Sequence, residues 1–198
     1  MGDGIRDSGL GIRPGTETAN LSSVSNAPPI PNSSRIPNPP RIPNPKSRIP
    51  ALAIATALGV GYVPFAPGTF GSAAGLILWA LLPATATAQG IAIVVLFVAG
   101  SWSGSAAERH FGRTDPGQVV VDEVMGMLIT LFMNPVGWAG ALGAFFLFRV
   151  ADVVKPYPAN RLERLHGGVG IMADDGMAAV YANLALRAVL ATAHWAIG

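Results

Sequence analysis

The sequence predicts an all-α, membrane-embedded helical bundle of about six or seven short helices with a disordered N-terminal tail. Three observations lead to that class. Only 12% of the 198 residues are charged and 51% are hydrophobic, whereas an average soluble domain is roughly 25% charged. No Asp, Glu, Lys or Arg occurs in the 59 residues from Ile49 to Ala107 or in the 25 from Val124 to Phe148. Gly and Pro divide these runs into segments at or below the ~20 residues that a helical crossing needs.

The formal charge of +2 hides an asymmetry. Residues 1–50 hold six basic and three acidic groups, and the rest of the chain holds seven basic and eight acidic groups. The basic character therefore belongs to the tail, and no nucleic-acid partner is expected. The absence of cysteine excludes disulfides, thiolate metal sites and a cysteine nucleophile.

Residues 1–48 form the tail, and residues 49–198 form one helical membrane domain. SRIPNP, PRIPNP and SRIP recur with a period of six between Ser34 and Pro50. Such a Ser/Asn/Pro/Gly-rich segment buries too little apolar surface to offset its ordering entropy, so it reads as disordered with polyproline II character. Its arginines also suit a lipid-surface tether. The apolar region begins too late for a signal peptide.

Ala51–Val63 is apolar but too short to cross alone. The loop PFAPGTFGS (64–72) offers Thr69 or Ser72 as a helix cap, while Gly68 and Gly71 permit close backbone approach. A short helix over 70–82 ends at Pro83. The segment 89–107 is the clearest spanning candidate, closed by Glu108-Arg109-His110 and Gly112. Asp115-Pro116 and Asn134-Pro135 read as helix starts, predicting helices over 116–133 and 135–154 that form an antiparallel hairpin. A single kinked crossing over 124–148 is the competing topology. Tyr157–Leu165 suits a short interfacial helix, His166–Gly170 a glycine-rich loop, and 176–197 a last apolar helix interrupted by Arg187.

The hairpin brings chemistry together. Counted from the turn near residue 134, Asp122, Arg149 and Asp152 lie at heights that differ by only ~4–9 Å at 1.5 Å per residue, and packed helix axes are ~8–10 Å apart. Arg149, Asp152 and Lys155 fall three apart on one side of a helix that Pro156 must end. Asp174-Asp175 opens the last apolar run. Basic residues before residue 50 and over 149–164 place these groups on the cytoplasmic side.

Carboxylates in apolar surroundings must be paired, protonated or on a metal. Several of them without cysteine favour a hard cation, Mg²⁺ or Mn²⁺, over zinc. With Arg149 and Lys155 to hold phosphate, the set describes metal-assisted phosphoryl transfer to water. Each residue also has a plainer reading. Asp115 suits a cap better than a ligand, and one of Asp174 and Asp175 would serve as a cap. Asp122 and Glu123 would pair with Arg149, and Asp152 with Lys155. Glu163 and His166 read as surface and loop residues. A small ion- or proton-coupled transporter is the functional rival, because intramembrane carboxylates often mark ion pathways.

PFAPGTFGS, DPGQVVVDEVMG, FRVADVVKPYP and GGVGIMADDGMA, in this order and at these spacings, resemble the bacterial phosphatidylglycerophosphatase A family over about residues 50–195. The resemblance implies Mg²⁺-dependent hydrolysis of the phosphomonoester of phosphatidylglycerophosphate at the inner membrane, by a multi-pass helical bundle in the bilayer. Carried over by motif, the functional positions are Asp122, Glu123, Asp152, Lys155, Asp174 and Asp175. The expected metal ligands are Asp122, Glu123, Asp152 and Asp175, with Asp174 as general base or second ligand. Arg149 and Lys155 are expected on the phosphate, and Arg161 and Arg164 on the lipid headgroup.

Overall fold

The computed structural model describes residues 45–157, 159–162, 165 and 167–197. Its elements are α1 (Pro45–Ala55), a 3-10 turn (Val60–Tyr62), α2 (Pro67–Leu81), α3 (Ala86–Phe111), α4 (Val121–Leu131), α5 (Trp138–Val154), α6 (Ala159–Leu162) and α7 (Gly168–Ile197). No strand occurs among the described residues. Of the expected tail, residues 1–44 lie outside the described set, and α1 already begins at Pro45. Proline is well suited to a first helical turn, where its missing N–H is not needed.

The helix ends show which local signals prevailed. Thr85 caps α3, its Oγ1 accepting from the Ala88 amide at 3.3 Å, and Gly112 closes that helix in the left-handed region at φ 68°. Neither Thr69 nor Ser72 caps α2. Pro67 occupies its first turn behind Ala66, and the Ser72 hydroxyl instead donates to the Gly68 carbonyl at 2.9 Å.

α4 starts at Val121, five residues later than Asp115-Pro116 implied. Asp115 takes φ 44°, and the Val119 amide donates to the Pro116 carbonyl, so this stretch is a turn and Asp115 is no cap. Likewise α5 starts at Trp138, after a turn in which the Val136 amide donates to the Asn134 carbonyl. It stops before Pro156 as expected, with Lys155 in the left-handed region at φ 45°.

α7 begins eight residues before the expected position, so Asp174 and Asp175 lie within the helix, not at its mouth. Gly168 and Gly170, read as loop residues, are helical, and at both positions neighbours come too close for a side chain. A Cβ at Gly168 would collide with the Ser101 carbonyl of α3, and one at Gly170 with the Leu165 carbonyl.

α3 and α7 are long and apolar enough to cross a membrane, yet only 28% and 22% of their most apolar windows are buried in the protein. The core helix of a soluble protein would be mostly buried. Here Ile91, Val94, Val95, Val98 and Trp102 on α3, and Val180, Leu184 and Val189 on α7, face outward. That outward apolar surface, with these lengths, suits a membrane protein.

α4 and α5 form the expected hairpin: the Phe148 ring fills the space that a side chain at Gly126 would need. α7 closes over this pair. Met127, Leu131, Ala141, Ala144, Phe148, Ala179 and Ala182 form one core cluster around it. α2 lies on the other side of α4, with Gly71 against Val120 and Gly75 against Val124 and Met127.

Candidate active site

Three helices and one glycine-rich turn converge where α4 begins. Asp122 and Glu123 stand in its first turn, a place where the helix dipole favours negative charge. Asp175 comes from α7, and one carboxylate oxygen from each of Asp122, Glu123 and Asp175 falls within 4.8 Å of the others. Asp122 and Asp175 are buried. The Asp122 carboxylate also accepts from the Glu123 amide at 3.1 Å.

α5 supplies the next layer. The Arg149 guanidinium sits 2.8 Å from Asp152 and 3.8 Å from Glu123. It thus ties both sides of the hairpin, as the helical heights implied. Asp152 lies close to Asp175. The Lys155 ammonium donates to Asp174 at 2.6 Å. Above them, a side chain at Gly68 would run into Glu123 Oε1 and come within 3.1 Å of both terminal Arg149 nitrogens. The PGT turn is therefore the roof of this constellation.

The structure thus assembles Asp122, Glu123, Asp152, Asp174, Asp175, Arg149 and Lys155 at one end of the bundle. Within that set Asp122, Glu123 and Asp175 form the tight oxygen group, while Asp152 stands beside it on Arg149. Arg161 lies apart, its guanidinium 4.8 Å from the centre of the exposed Tyr157 ring. Arg164, Glu163 and His166 lie outside the described residues. Asp115, read first as a cap, is close enough to Asp122 to act on its charge. Its backbone amide donates to Glu108 at 3.3 Å.

The electrostatics are unbalanced. Among the described residues, Asp122, Glu123, Asp152, Asp174 and Asp175 gather around the two cations Arg149 and Lys155, so carboxylates outnumber cations in a poorly solvated place. α4, with 11 residues, is too short to cross a bilayer. At its start, burial pushes the Asp122 carboxyl well above the ordinary carboxylate range, and the neighbouring Glu123 and Asp175 add to that. Burial also raises Glu123, against the hydrogen bond from Asp122 and the attraction of Arg149.

Glu123 Oε2 is buried with no hydrogen-bond partner among the described residues. An orphaned carboxylate oxygen costs free energy unless something positive meets it. The all-oxygen donor set, the spacing and this oxygen fit a metal ion.

No solved structure matches the chain. A protein of Bacteroides thetaiotaomicron named "Putative phosphatidylinositol-3-phosphatase" is 42% identical over 77% of this chain and 98% of its own length. Phosphatidylglycerophosphatase A of Haemophilus influenzae is 37% identical, covering 71% of this chain and 88% of that protein. The Escherichia coli protein of the same name is 34% identical, covering 77% and 92%. The family model for phosphatidylglycerophosphatase A matches residues 53–190, which include every residue of the constellation. The chain belongs to the phosphatidylglycerophosphatase A family.

Proposed function

We propose that this protein hydrolyses the terminal phosphomonoester of phosphatidylglycerophosphate, releasing phosphatidylglycerol and inorganic phosphate, with Mg²⁺ as cofactor. The observation that carries this reading is the buried, undercompensated group of Asp122, Glu123 and Asp175, with Arg149 and Lys155 at its rim. Family membership and the phosphatase names of the relatives support it.

Asp122, Glu123 and Asp175 hold the ion, with Asp152 completing or orienting the set. When bound, Mg²⁺ supplies Lewis-acid polarisation of the phosphoryl group and the positive charge that the carboxylates lack. Arg149, steadied by Asp152 and Glu123, is placed to share its planar fork with phosphate oxygens. Lys155 adds a point charge there. Asp174, held in place by Lys155, takes the proton from the attacking water. The phosphorus–oxygen bond to the glycerol then breaks, and the departing alkoxide takes up a proton from water, while Asp174 returns its own proton to solvent. Gly68 leaves room for the Glu123 and Arg149 side chains beneath the α2 turn.

The site opens on the cytoplasmic side of the inner membrane in this reading. Arg109 and Arg113 at the end of α3 support that orientation, because basic residues concentrate on that side. The transporter alternative is disfavoured, since the carboxylates gather at one end of the bundle and do not run through its depth.

Phosphate release by detergent-purified protein tests the reading, with phosphatidylglycerophosphate and phosphatidylinositol 3-phosphate compared side by side, each with Mg²⁺ and with EDTA. The expected result is Mg²⁺-dependent release from phosphatidylglycerophosphate that Asp122→Asn abolishes. Folded protein that releases none would overturn it, and preference for the inositol lipid would reassign the headgroup.

A further inference from the structure

We propose that the apolar groove between α3 and α7 holds an acyl chain of the lipid substrate and so fixes the depth at which its terminal phosphate meets the carboxylates. The proposal rests on the phosphatase reading above. The groove has a volume of about 400 Å³, and every side chain that lines it is apolar. Ile93 and Phe97 of α3 form one wall and Val180 of α7 the other, over a floor of Met125 and Ile129 from α4.

Its direction is set by α4. Asp122, Met125 and Ile129 are spaced i, i+3 and i+7, which places them along one helix stripe. The floor therefore runs straight up to Asp122. On α7, Ala173 and Gly176 of the groove flank Asp174 and Asp175, and the lining extends to Val180. At 1.5 Å per residue that is roughly 10 Å of apolar channel leading from the charged end. Leu162 of α6 also lines the groove, next to the exposed Arg161. A molecule with a phosphate at one end and hydrocarbon at the other matches this sequence of surfaces.

Gly176 keeps the groove open beside the carboxylates. At Gly68, Gly168 and Gly170 a side chain would collide with protein atoms, so packing explains those glycines. At Gly176 a Cβ would sit 3.5 Å from Met125 Cε and 3.9 Å from Ile129 Cδ1, ordinary contacts that packing would accept. The space kept open there is the groove. Bilayer tails are as apolar as its walls, so the groove adds little to affinity and acts by orientation.

Two groove-filling variants test this, Gly176→Phe beside the carboxylates and Val180→Trp one turn farther away. The readout is kcat/KM for dioleoyl phosphatidylglycerophosphate in mixed micelles divided by kcat/KM for the same headgroup without its acyl chains. The expected result is a fall in that ratio of about tenfold or more in Val180→Trp, with the same direction in Gly176→Phe. A ratio equal to that of the wild type in Val180→Trp would overturn the proposal. Conversion of a wild-type dimer to monomer with an unchanged ratio would assign the groove to a second copy instead. Wild-type protein inactive on both substrates would remove the phosphatase reading itself.

Discussion

Gly68 lies directly against Glu123, so close that the smallest side chain at residue 68 would strike the Glu123 carboxylate and press on the Arg149 guanidinium. This makes the PGT turn a part of the site and not merely a connector. Gly68→Ala should displace Glu123 and Arg149 while leaving α2 formed, since alanine is a better helix residue than glycine. Misplacing reacting groups by ~1 Å costs on the order of 10²-fold in rate. The expected outcome is a loss of that size in kcat with thermal stability near the wild type. Full activity in Gly68→Ala would show that the turn does not shape the site.

Arg149 spans the hairpin from Asp152 to Glu123 at 2.8 and 3.8 Å. Lysine would keep the charge but has no planar fork to meet both carboxylates and a phosphate. Arg149→Lys should lower kcat by about 10²- to 10³-fold, as removal of one aimed donor does. Steady-state phosphate release checks this, and a variant within twofold of wild type would exclude Arg149 from the phosphate.

Much of this arrangement is legible in the sequence because it follows from helical arithmetic. The three-residue spacing of Arg149, Asp152 and Lys155, the stop at Pro156 and the counted heights of Asp122 and Arg149 place the clusters together before any coordinates. The partition of partners is not legible. Arg149 has carboxylates within reach on its own helix and on α4, and tertiary packing decides how it divides between them. Lys155, the left-handed residue at which the chain leaves α5, pairs with Asp174, 19 residues away. The starts of α4 and α7 were hidden for a related reason. Asp115-Pro116 has the composition of a cap, but the turn geometry at φ 44° takes precedence. The glycines at 168 and 170 serve packing and not a loop. Nor does any pattern announce Asn183, whose amide donates to the carbonyls of Ile129, Thr130 and Phe132 at 2.9, 2.9 and 3.0 Å. Its partners are backbone groups at the end of α4, which carry no sequence signature.

Lys155 and Asp174 form a charge pair at 2.6 Å beside the three-carboxylate group, with Asp174 buried and Lys155 partly so. Removing only the ammonium leaves a carboxylate in a poorly solvated place, a change that costs about 3–5 kcal/mol when a pair is buried. Lys155→Met should therefore lower stability by an amount toward that range, and adding Asp174→Asn should recover most of it. Activity should not return with stability, because the double variant lacks both the phosphate contact proposed for Lys155 and the proton acceptor proposed at Asp174. Denaturation and phosphate release measured on the same preparations separate the two. Recovery of turnover in the double variant would show that the pair serves folding alone.

Protons and the proposed divalent ion would compete for the same oxygens at the start of α4. Because burial raises the Asp122 carboxyl above its ordinary range, the folded protein holds that proton more tightly than the unfolded chain does. The associated stability is fully present below the ordinary carboxylate range and is lost as pH rises through the raised folded value. Metal-free protein should therefore melt at a lower temperature at neutral pH than under mildly acidic conditions. A bound ion reverses the trend by compensating the ionised group, and at 100 times its dissociation constant it stabilises by about 2.7 kcal/mol. Thermal melts in detergent, with EDTA and with Mg²⁺ across this pH range, should show a Mg²⁺-dependent rise in Tm that grows with pH and is absent from Asp122→Asn. A rise independent of pH, or one retained in Asp122→Asn, would place the ion elsewhere and detach the catalytic reading from Asp122.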